Sequence, residues 1–334
     1  MKTTNFTKSS QFLLLLFTIL VAATTGCKKT ELVTQDKLVM SPKFISLSLA
    51  DANPQADAAF SAITSTFLTT SGSTQYFKTS LSNSATDYFW CQALDIQMVE
   101  DTYLRTKSSS TSTLITNLLN TFLQQNQGSG GLYDWNWNDY NDDLLWAGIA
   151  FVRGYQITGN TTFLNQAKYA FNRAYDRGWD SSLGGGIWWD VPHSCKSGLS
   201  NNTAVILGCY IYELTHDSTY LTKASAVYDW IWLTIYNRST GAVYENIDPN
   251  GVVSSVASVY NAGAFIGAAN QLHRITGRSS LYDDAKRAAD YVRNNETTNG
   301  VFNNPIRNGS WSSEFARGLG EFVRDNNLWS TYYS

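Results

Sequence analysis

Two adjacent carboxylates, Asp142 and Asp143, stand in "DWNWNDYNDDLLWAGIAFVRGY" (134–155), where a polar, Trp-rich loop turns into an apolar run. Charge beside buried apolar surface is costly unless it is paired or used. Side by side, two acids repel, and each raises the pKa of the other. Neighbouring positions on a helix diverge by about 100°, so both side chains can still border one cleft. Two carboxyls across a cleft are what glycoside hydrolysis requires. One is ionised, to attack or stabilise an oxocarbenium-like centre, and one is protonated, to give its proton to the leaving oxygen. That chemistry uses water and needs neither cofactor nor metal. The competing reading is helix capping, because Asp and Asn are preferred caps and acids suit the positive end of a helix. A cap, however, needs only one of the two.

Aromatic side chains surround the pair. Trp135, Trp137, Trp188 and Trp189, with Tyr140 and Tyr260, lie in polar, Gly-rich loops. The chain holds 11 Trp and 19 Tyr, an excess suited to stacking on the flat faces of sugars and equally suited to a large helical core. Asn201-Asn202 and Tyr260-Asn261 open two further apolar runs as Asp142-Asp143 opens the first, so three polar pairs would ring one cavity. Asp283-Asp284 is a second acid pair, but it follows Ser279-Ser280 at the start of an amphipathic run and reads as capping. His193, Cys195 and Cys209 lack the spacing and the ligand set of a zinc site, and no GxSxG, Walker, HExxH or GxGxxG pattern occurs.

The elements that must position these residues repeat. Thr158, Thr215 and Thr276, at spacings of 57 and 61, mark three units of the same order. In each, a polar pair opens a helix that is apolar almost all round, and a Thr-centred turn ends it. An amphipathic helix follows, then a Gly-containing loop and a short apolar-aromatic piece. A helix apolar all round is buried, and one with a single apolar stripe lies outside. Alternation of the two gives an all-α toroid of helical hairpins. With the runs at 54–70, 85–106 and 110–126 before these units and "SSEFARGLGEFVRDN" after them, about ten helices form one domain over 52–334. The last helix, over 311–326, carries an apolar face (Phe315, Leu319, Phe322) that is expected to stay partly exposed unless the N-terminal helix covers it.

The N-terminal residues read as an export signal. Lys2 and Lys8 precede "QFLLLLFTILVAATTGC", a stretch too short and badly flanked for a membrane span. Gly26-Cys27 resembles a lipobox, which makes Cys27 the lipidated residue, residues 1–26 the signal peptide and 27–51 a polar tether. An ordinary secretory signal is the alternative. The expected location is the bacterial cell envelope, with membrane contact through the lipid alone. Removing 1–26 takes two lysines and no acid, leaving 22 basic and 27 acidic side chains, a net charge of −5. That balance excludes a basic nucleic-acid surface.

The set "YNDDLLWAGIAFVRGYQITGN", "GGGIWW", "KSGLSNNTAVILGCYIYELTHDSTYLTKASAVYDWIW" and "YNAGAFIGAA", in this order, resembles glycoside hydrolase family 76, the bacterial endo-α-1,6-mannanases. The resemblance implies an (α/α)6 toroid and retaining, endo-acting hydrolysis of α-1,6-linked mannose chains. It implies Asp142 as nucleophile and Asp143 as general acid/base. Gly185, Ile187, Trp188 and Trp189 match the loop that lines the family's cleft, and Asn201, Asn202, Tyr260 and Asn261 match polar positions facing it. Expected partners are α-mannan polysaccharide or mannooligosaccharides, with the protein acting as a monomer. Two departures stand out. Ala262 replaces the Gln of a Tyr-Asn-Gln-Gly pattern, and the sequence stops at "NNLWSTYYS", where the family continues with another helix pair. A toroid incomplete at its C-terminus is therefore expected. The rival functions are a non-catalytic glycan-binding surface lipoprotein, which would need no acid pair, and another (α/α)6 carbohydrate-active enzyme. A uronate substrate would call for basic residues that these loops lack.

Overall fold

One local device reverses the chain four times. Thr106, Thr158, Thr215 and Thr276 each donate from Oγ1 to the carbonyl four residues back, at 2.9, 2.7, 2.7 and 2.6 Å. The same oxygen accepts the N–H two residues ahead, from Ser108, Asn160, Asp217 and Arg278, at 3.2–3.4 Å. The residue between, Lys107, Gly159, His216 or Gly277, is left-handed, with φ of 55, 73, 55 and 70°. Its N–H returns to the helix, which satisfies an otherwise orphaned carbonyl. Asn160 and Asp217 then cap the next helix through their side chains. Each reversal takes two residues, so consecutive helices are antiparallel neighbours.

The computed structural model describes residues 49–129, 133–303 and 312–332. The proposed signal, Cys27 and nearly all of the tether lie outside these. The helices are α1 (Leu49–Phe67), α2 (Phe89–Thr106), α3 (Ser109–Gln125), α4 (Asn141–Thr158), α5 (Thr161–Gly178), α6 (Gly198–Thr215), α7 (Ser218–Thr234), α8 (Val259–Thr276), α9 (Ser279–Tyr291), α10 (Ser312–Asp325) and the short α11 (Trp329–Tyr332). Three small antiparallel pairs join them: β1 (Leu68–Ser71) with β2 (Thr74–Phe77), β3 (Lys196–Ser197) with β4 (Asn246–Ile247), and β5 (Thr297–Thr298) with β6 (Val301–Phe302).

Helices α2, α4, α6, α8 and α10 pack in that order as the inner ring, and α5, α7 and α9 lie outside against them. Burial follows the pattern. In α4 every residue from Asn141 to Gly154 is buried, whereas α5 buries one stripe (Phe163, Ala167, Ala170, Phe171, Ala174). This is the hairpin layout of an (α/α)6 toroid. Because each inner helix follows an outer one that runs the other way, all inner helices point in one direction.

The last inner helix is seated by two glycines. A Cβ built on Gly318 would fall 2.0 Å from the Gly263 carbonyl oxygen, and one on Gly263 would fall 2.2 Å from Phe315 Cα. Backbone thus lies on backbone, and no side chain fits between α8 and α10. Phe315 and Phe322 are buried, edge-on to Phe302 of β6 and tilted on Tyr282 of α9, at 6.0 and 5.3 Å. The expected exposure of this face is corrected for both phenylalanines, because α8, α9 and β6 do the covering. Leu319 stays partly exposed.

Charges meet on the axis below. Arg153 of α4 pairs with Asp101 and, at 3.5 Å, with Glu100 of α2. Arg317 of α10 reaches Asp101 at 3.1 Å and Glu314 at 2.7 Å. Tyr210 of α6 and Gln271 of α8 both donate to Glu321, at 3.4 Å. Burial would favour neutral Arg153, but Asp101 above all holds it protonated. Burial pushes Glu100 well above the usual carboxylate range. All five inner helices contribute to this polar axis.

Gly318→Ala should therefore destabilise the protein by about 3 kcal/mol, the cost of overpacking a contact that cannot yield. Gly267→Ala, whose added methyl lies 3.4 Å from Ile206, should be nearly neutral. Urea titrations of both variants test the seating of α10.

Candidate active site

The inner helices begin where the long connections lie. Loops 126–140, 179–195 and 235–258 bring the chain from an outer helix to the next inner one. They are tied together by β3–β4 and by single antiparallel contacts such as Tyr140 with Asp190. The polar pairs foreseen at the inner helix starts therefore share one end of the toroid.

Asp142 and Asp143 are the second and third residues of α4. The cap is Tyr140, in extended backbone and without a side-chain cap bond, so the capping reading does not hold for either acid. Their exposures are 5% and 4%. Asn138 Nδ2 donates to Asp143 Oδ2 at 3.0 Å, and Tyr140 N–H holds Asn138 through Oδ1 at 2.9 Å. Arg177, near the end of α5, secures both flanks. Its Nε donates to Asn141 Oδ1 at 2.7 Å and its Nη2 to the Asn138 carbonyl at 2.9 Å. Asn141 in turn donates to the carbonyls of Trp188 (Nδ2, 2.8 Å) and Trp189 (backbone N, 2.8 Å). Gly178 makes room, since a Cβ there would meet Asn141 and Ile187 at 2.7 Å. Both acids lie in the first turn of α4, whose positive end favours negative charge.

The aromatic set divides. Trp137 is 51% exposed, with its ring edge-on to Phe89 at 5.5 Å. It lines a cleft of about 370 Å3 together with Tyr88, Trp90, Tyr140 and Asp143. Trp189 leans on Tyr140 at 4.8 Å. Trp135, by contrast, is fully buried among Phe89, Phe122 and Phe151, so it has no open face for a sugar. Trp188 is covered too. His193 stacks on it at 4.7 Å, Lys196 Nζ lies 4.9 Å from its ring centre, and its Nε1 donates to Asp180 at 2.7 Å. Both of these are loop anchors rather than platforms.

The amides divide likewise. Asn201 clamps the loop that carries Gly185 and Ile187. Its Oδ1 accepts from Ile187 N–H at 2.7 Å, and its Nδ2 donates to the carbonyls of Ile187 and Ser197 at 2.9 and 2.7 Å. Asn202 has 0% exposure, and its amide atoms have no hydrogen-bond partner among the described residues. It stands four residues before Ile206, so it shares the helix face turned to the axis. Asn261 packs on Gly198, where an added Cβ would fall 2.7 Å from its oxygen. Tyr260 donates to Glu245 Oε1 at 3.1 Å.

Sequence reasoning missed Asn138, Arg177, Glu245 and Lys196. Lys196 is wholly buried and donates to Asp180 and to the carbonyls of Ser182 and Gly185, at 2.6–2.7 Å. This closes the Gly-rich turn. Burial lowers the Lys196 pKa, and bonds to Lys196, Ser182 and Trp188 outweigh burial to hold Asp180 well below the usual range. Only Asn138 had a signal, as a polar residue inside the loop that feeds the acid pair. Among the described residues no group of three metal-ligating side chains occurs.

Known proteins match this arrangement. The model of a family described as glycosyl hydrolase family 76 matches residues 55–317. A putative mannan endo-1,6-alpha-mannosidase of Schizosaccharomyces pombe is 27% identical over 231 residues, 64% of this chain and 51% of its own. The chain thus spans about half the length of that curated relative. The GH76A alpha-1,6-mannanase of Salegentibacter sp. HEL1_6 superposes with a TM-score of 0.74 at 29% identity, covering 82% of this chain and 81% of its own. An inactive variant of that enzyme, with two consecutive aspartates replaced by asparagine and α-1,6-mannotriose bound, gives 0.73 at 28% identity over the same shares.

Asn201→Leu should cost about 3 kcal/mol, because it strands three buried backbone groups at once. The loss should appear in thermal or urea unfolding without any ligand, which a residue that only contacts substrate would not show.

Proposed function

The chain belongs to glycosyl hydrolase family 76, and on that premise we propose that it is an endo-acting hydrolase that cleaves α-1,6-mannosidic bonds with retention. One observation carries the reading. Two consecutive, nearly buried aspartates open an inner helix at the end where the loops converge. The Salegentibacter relative is described as inactive once two consecutive aspartates are replaced, and that variant binds α-1,6-mannotriose.

In the proposed reaction Asp142 attacks the anomeric carbon as Asp143 protonates the departing glycosidic oxygen. A glycosyl ester on Asp142 results. Asp143, now ionised, takes a proton from water, which attacks the same carbon and releases Asp142. The Asn138 amide, donating to Asp143 Oδ2, fixes the orientation of the acid. The first turn of α4 supports the charge on Asp142. Trp137 and Tyr140 offer stacking faces beside Asp143, where the cleft is open. Trp189, Tyr260 and Asn261 are assigned to the cleft wall. Asn201 acts through the frame rather than on the sugar, and Asn202 lies buried beside the axis.

Asp142→Asn and Asp143→Asn should each abolish most hydrolysis of α-1,6-mannan while the fold persists. An activated aryl α-mannoside needs little help from an acid, so it should partly restore turnover by Asp143→Asn and not by Asp142→Asn. NMR of the earliest product should show the α-anomer. A first-formed β-anomer would remove the nucleophile role of Asp142, and wild-type turnover by both variants would remove the site.

The reading extends to the envelope. Cys27 is proposed to carry a lipid after removal of residues 1–26. Each buried methylene of such a chain adds about 0.8 kcal/mol of membrane affinity. Cys27→Ala should therefore shift the protein from the membrane to the soluble fraction, and its retention in membranes would place the anchor elsewhere.

A further inference from the structure

Away from the cleft, the outer helices α7 and α9 do not close on each other. Between them lies a groove of about 420 Å3. It meets a second hollow of about 320 Å3 at Asp283 and Arg287, which line both. One wall presents Asp229, Trp232 and Arg238, and the other presents Arg278, Asp283 and Arg287. Trp232 is partly exposed, with the Arg238 guanidinium 4.4 Å from its ring centre. Asp284 forms the floor. It is buried and accepts from Tyr228 Oη at 3.0 Å. The capping reading of Asp283-Asp284 does not hold, because α9 is capped at Arg278, without a side-chain bond, and the acids lie beyond its first turn.

The charges in this groove are balanced but not joined. Among the described residues no salt bridge links Asp229 or Asp283 to the three arginines, although ion pairs form close by at Lys286–Asp290 and Arg293–Asp290. With Asp284, three carboxyls face three guanidinium groups, so the groove does not select for an anion. Carboxylates accept from hydroxyls, guanidinium groups donate to them in pairs, and an indole covers an apolar ring face. A neutral, hydroxyl-rich ring compound satisfies all three.

The groove runs toward the end of the ring that carries the long loops. Its second hollow reaches Thr240 and Asn295, beside the turn of π-helix (Val292–Glu296) that ends α9. Outer helices end where inner helices begin. Loop 235–258 therefore carries Arg238 and Thr240 on its outer side, and Glu245, the partner of Tyr260, on its inner side. Arg287 bonds to the Arg238 carbonyl and fixes this loop on α9.

We propose that the α7–α9 groove is a second binding site for a neutral mannan chain, holding polymer on the outer wall while the cleft cleaves it. The inference rests on the substrate class proposed above. The test is affinity electrophoresis of the full chain in gels containing α-1,6-mannan, with hydrolysis of mannotetraose and of long mannan measured in parallel. Two variants are compared, Trp232→Ala and the exposed pair Arg278→Ala/Asp283→Ala, the second of which removes no core contact. Both should weaken retention on mannan by about threefold or more, as expected for loss of a stacking or bidentate contact. Both should slow long mannan and leave mannotetraose turnover unchanged. Wild-type retention by both variants overturns the inference, and so does a wild-type protein that hydrolyses mannan without being retained. If the wild type is retained but hydrolyses neither substrate, and the variants lose retention, the groove stands and the catalytic reading falls.

Discussion

The rest of the structure depends on a reversal of direction in two residues. A threonine hydroxyl bridges the last turn of one helix and the first N–H of the next, around a left-handed residue. A looser turn would let successive helices splay. A tight one forces strict alternation, and alternation sends every inner helix the same way. The positive ends of α4, α6 and α8 then gather at one end of the ring, as do the long loops. Nothing in the acid pair itself requires this. Asp142 and Asp143 meet their surroundings because helices far from them turn sharply at the opposite end.

The same arrangement creates a problem on the axis. Inner helices that are apolar all round would slide, since smooth apolar surfaces fix neither height nor rotation. Arg153, Asp101 and Arg317 supply direction. A buried guanidinium left unpaired is strongly unfavourable, so the three helices that share this network are held in one register. Gly263 and Gly318 supply the closeness that brings Arg317 within reach. Polar bonds specify the ring, and apolar burial supplies most of its stability.

Much of this was legible in the sequence. The threonines at 158, 215 and 276 reported the hairpin because the turn uses that hydroxyl twice. Thr106 escaped notice because Lys107 stands where two of the other turns have glycine, although its backbone is equally left-handed. The apolar inner runs and the place of the acid pair were readable for the same reason, since periodicity follows burial. What the sequence hid was orientation within irregular backbone. Trp135 and Trp137 are two residues apart in one loop, yet one is core and the other borders the cleft. Asn201 and Asn202 are adjacent, yet one holds the loop and the other faces the axis. Arg177 looked like one of several basic residues on a wet helix face. Its contact with Asn138 spans 39 positions and leaves no local mark. Lys196 gave no warning either, because the carbonyls that neutralise its burial belong to a Gly-rich turn without side chains to read.

The near-uniform length of α4 to α8 has a consequence for how such a protein can diverge. Helices α4, α5, α6 and α8 have 18 residues each, and α7 has 17. At 1.5 Å per residue these arms rise about 27 Å, whereas α9, with 13 residues, and α10, with 14, are shorter. Among the described residues, loops 126–140, 179–195 and 235–258 shape the rim over the long arms. Lineages can lengthen, shorten or exchange those loops and so reshape what polymer is recognised, while the turns and the axial ion pairs at the other levels keep the frame unchanged.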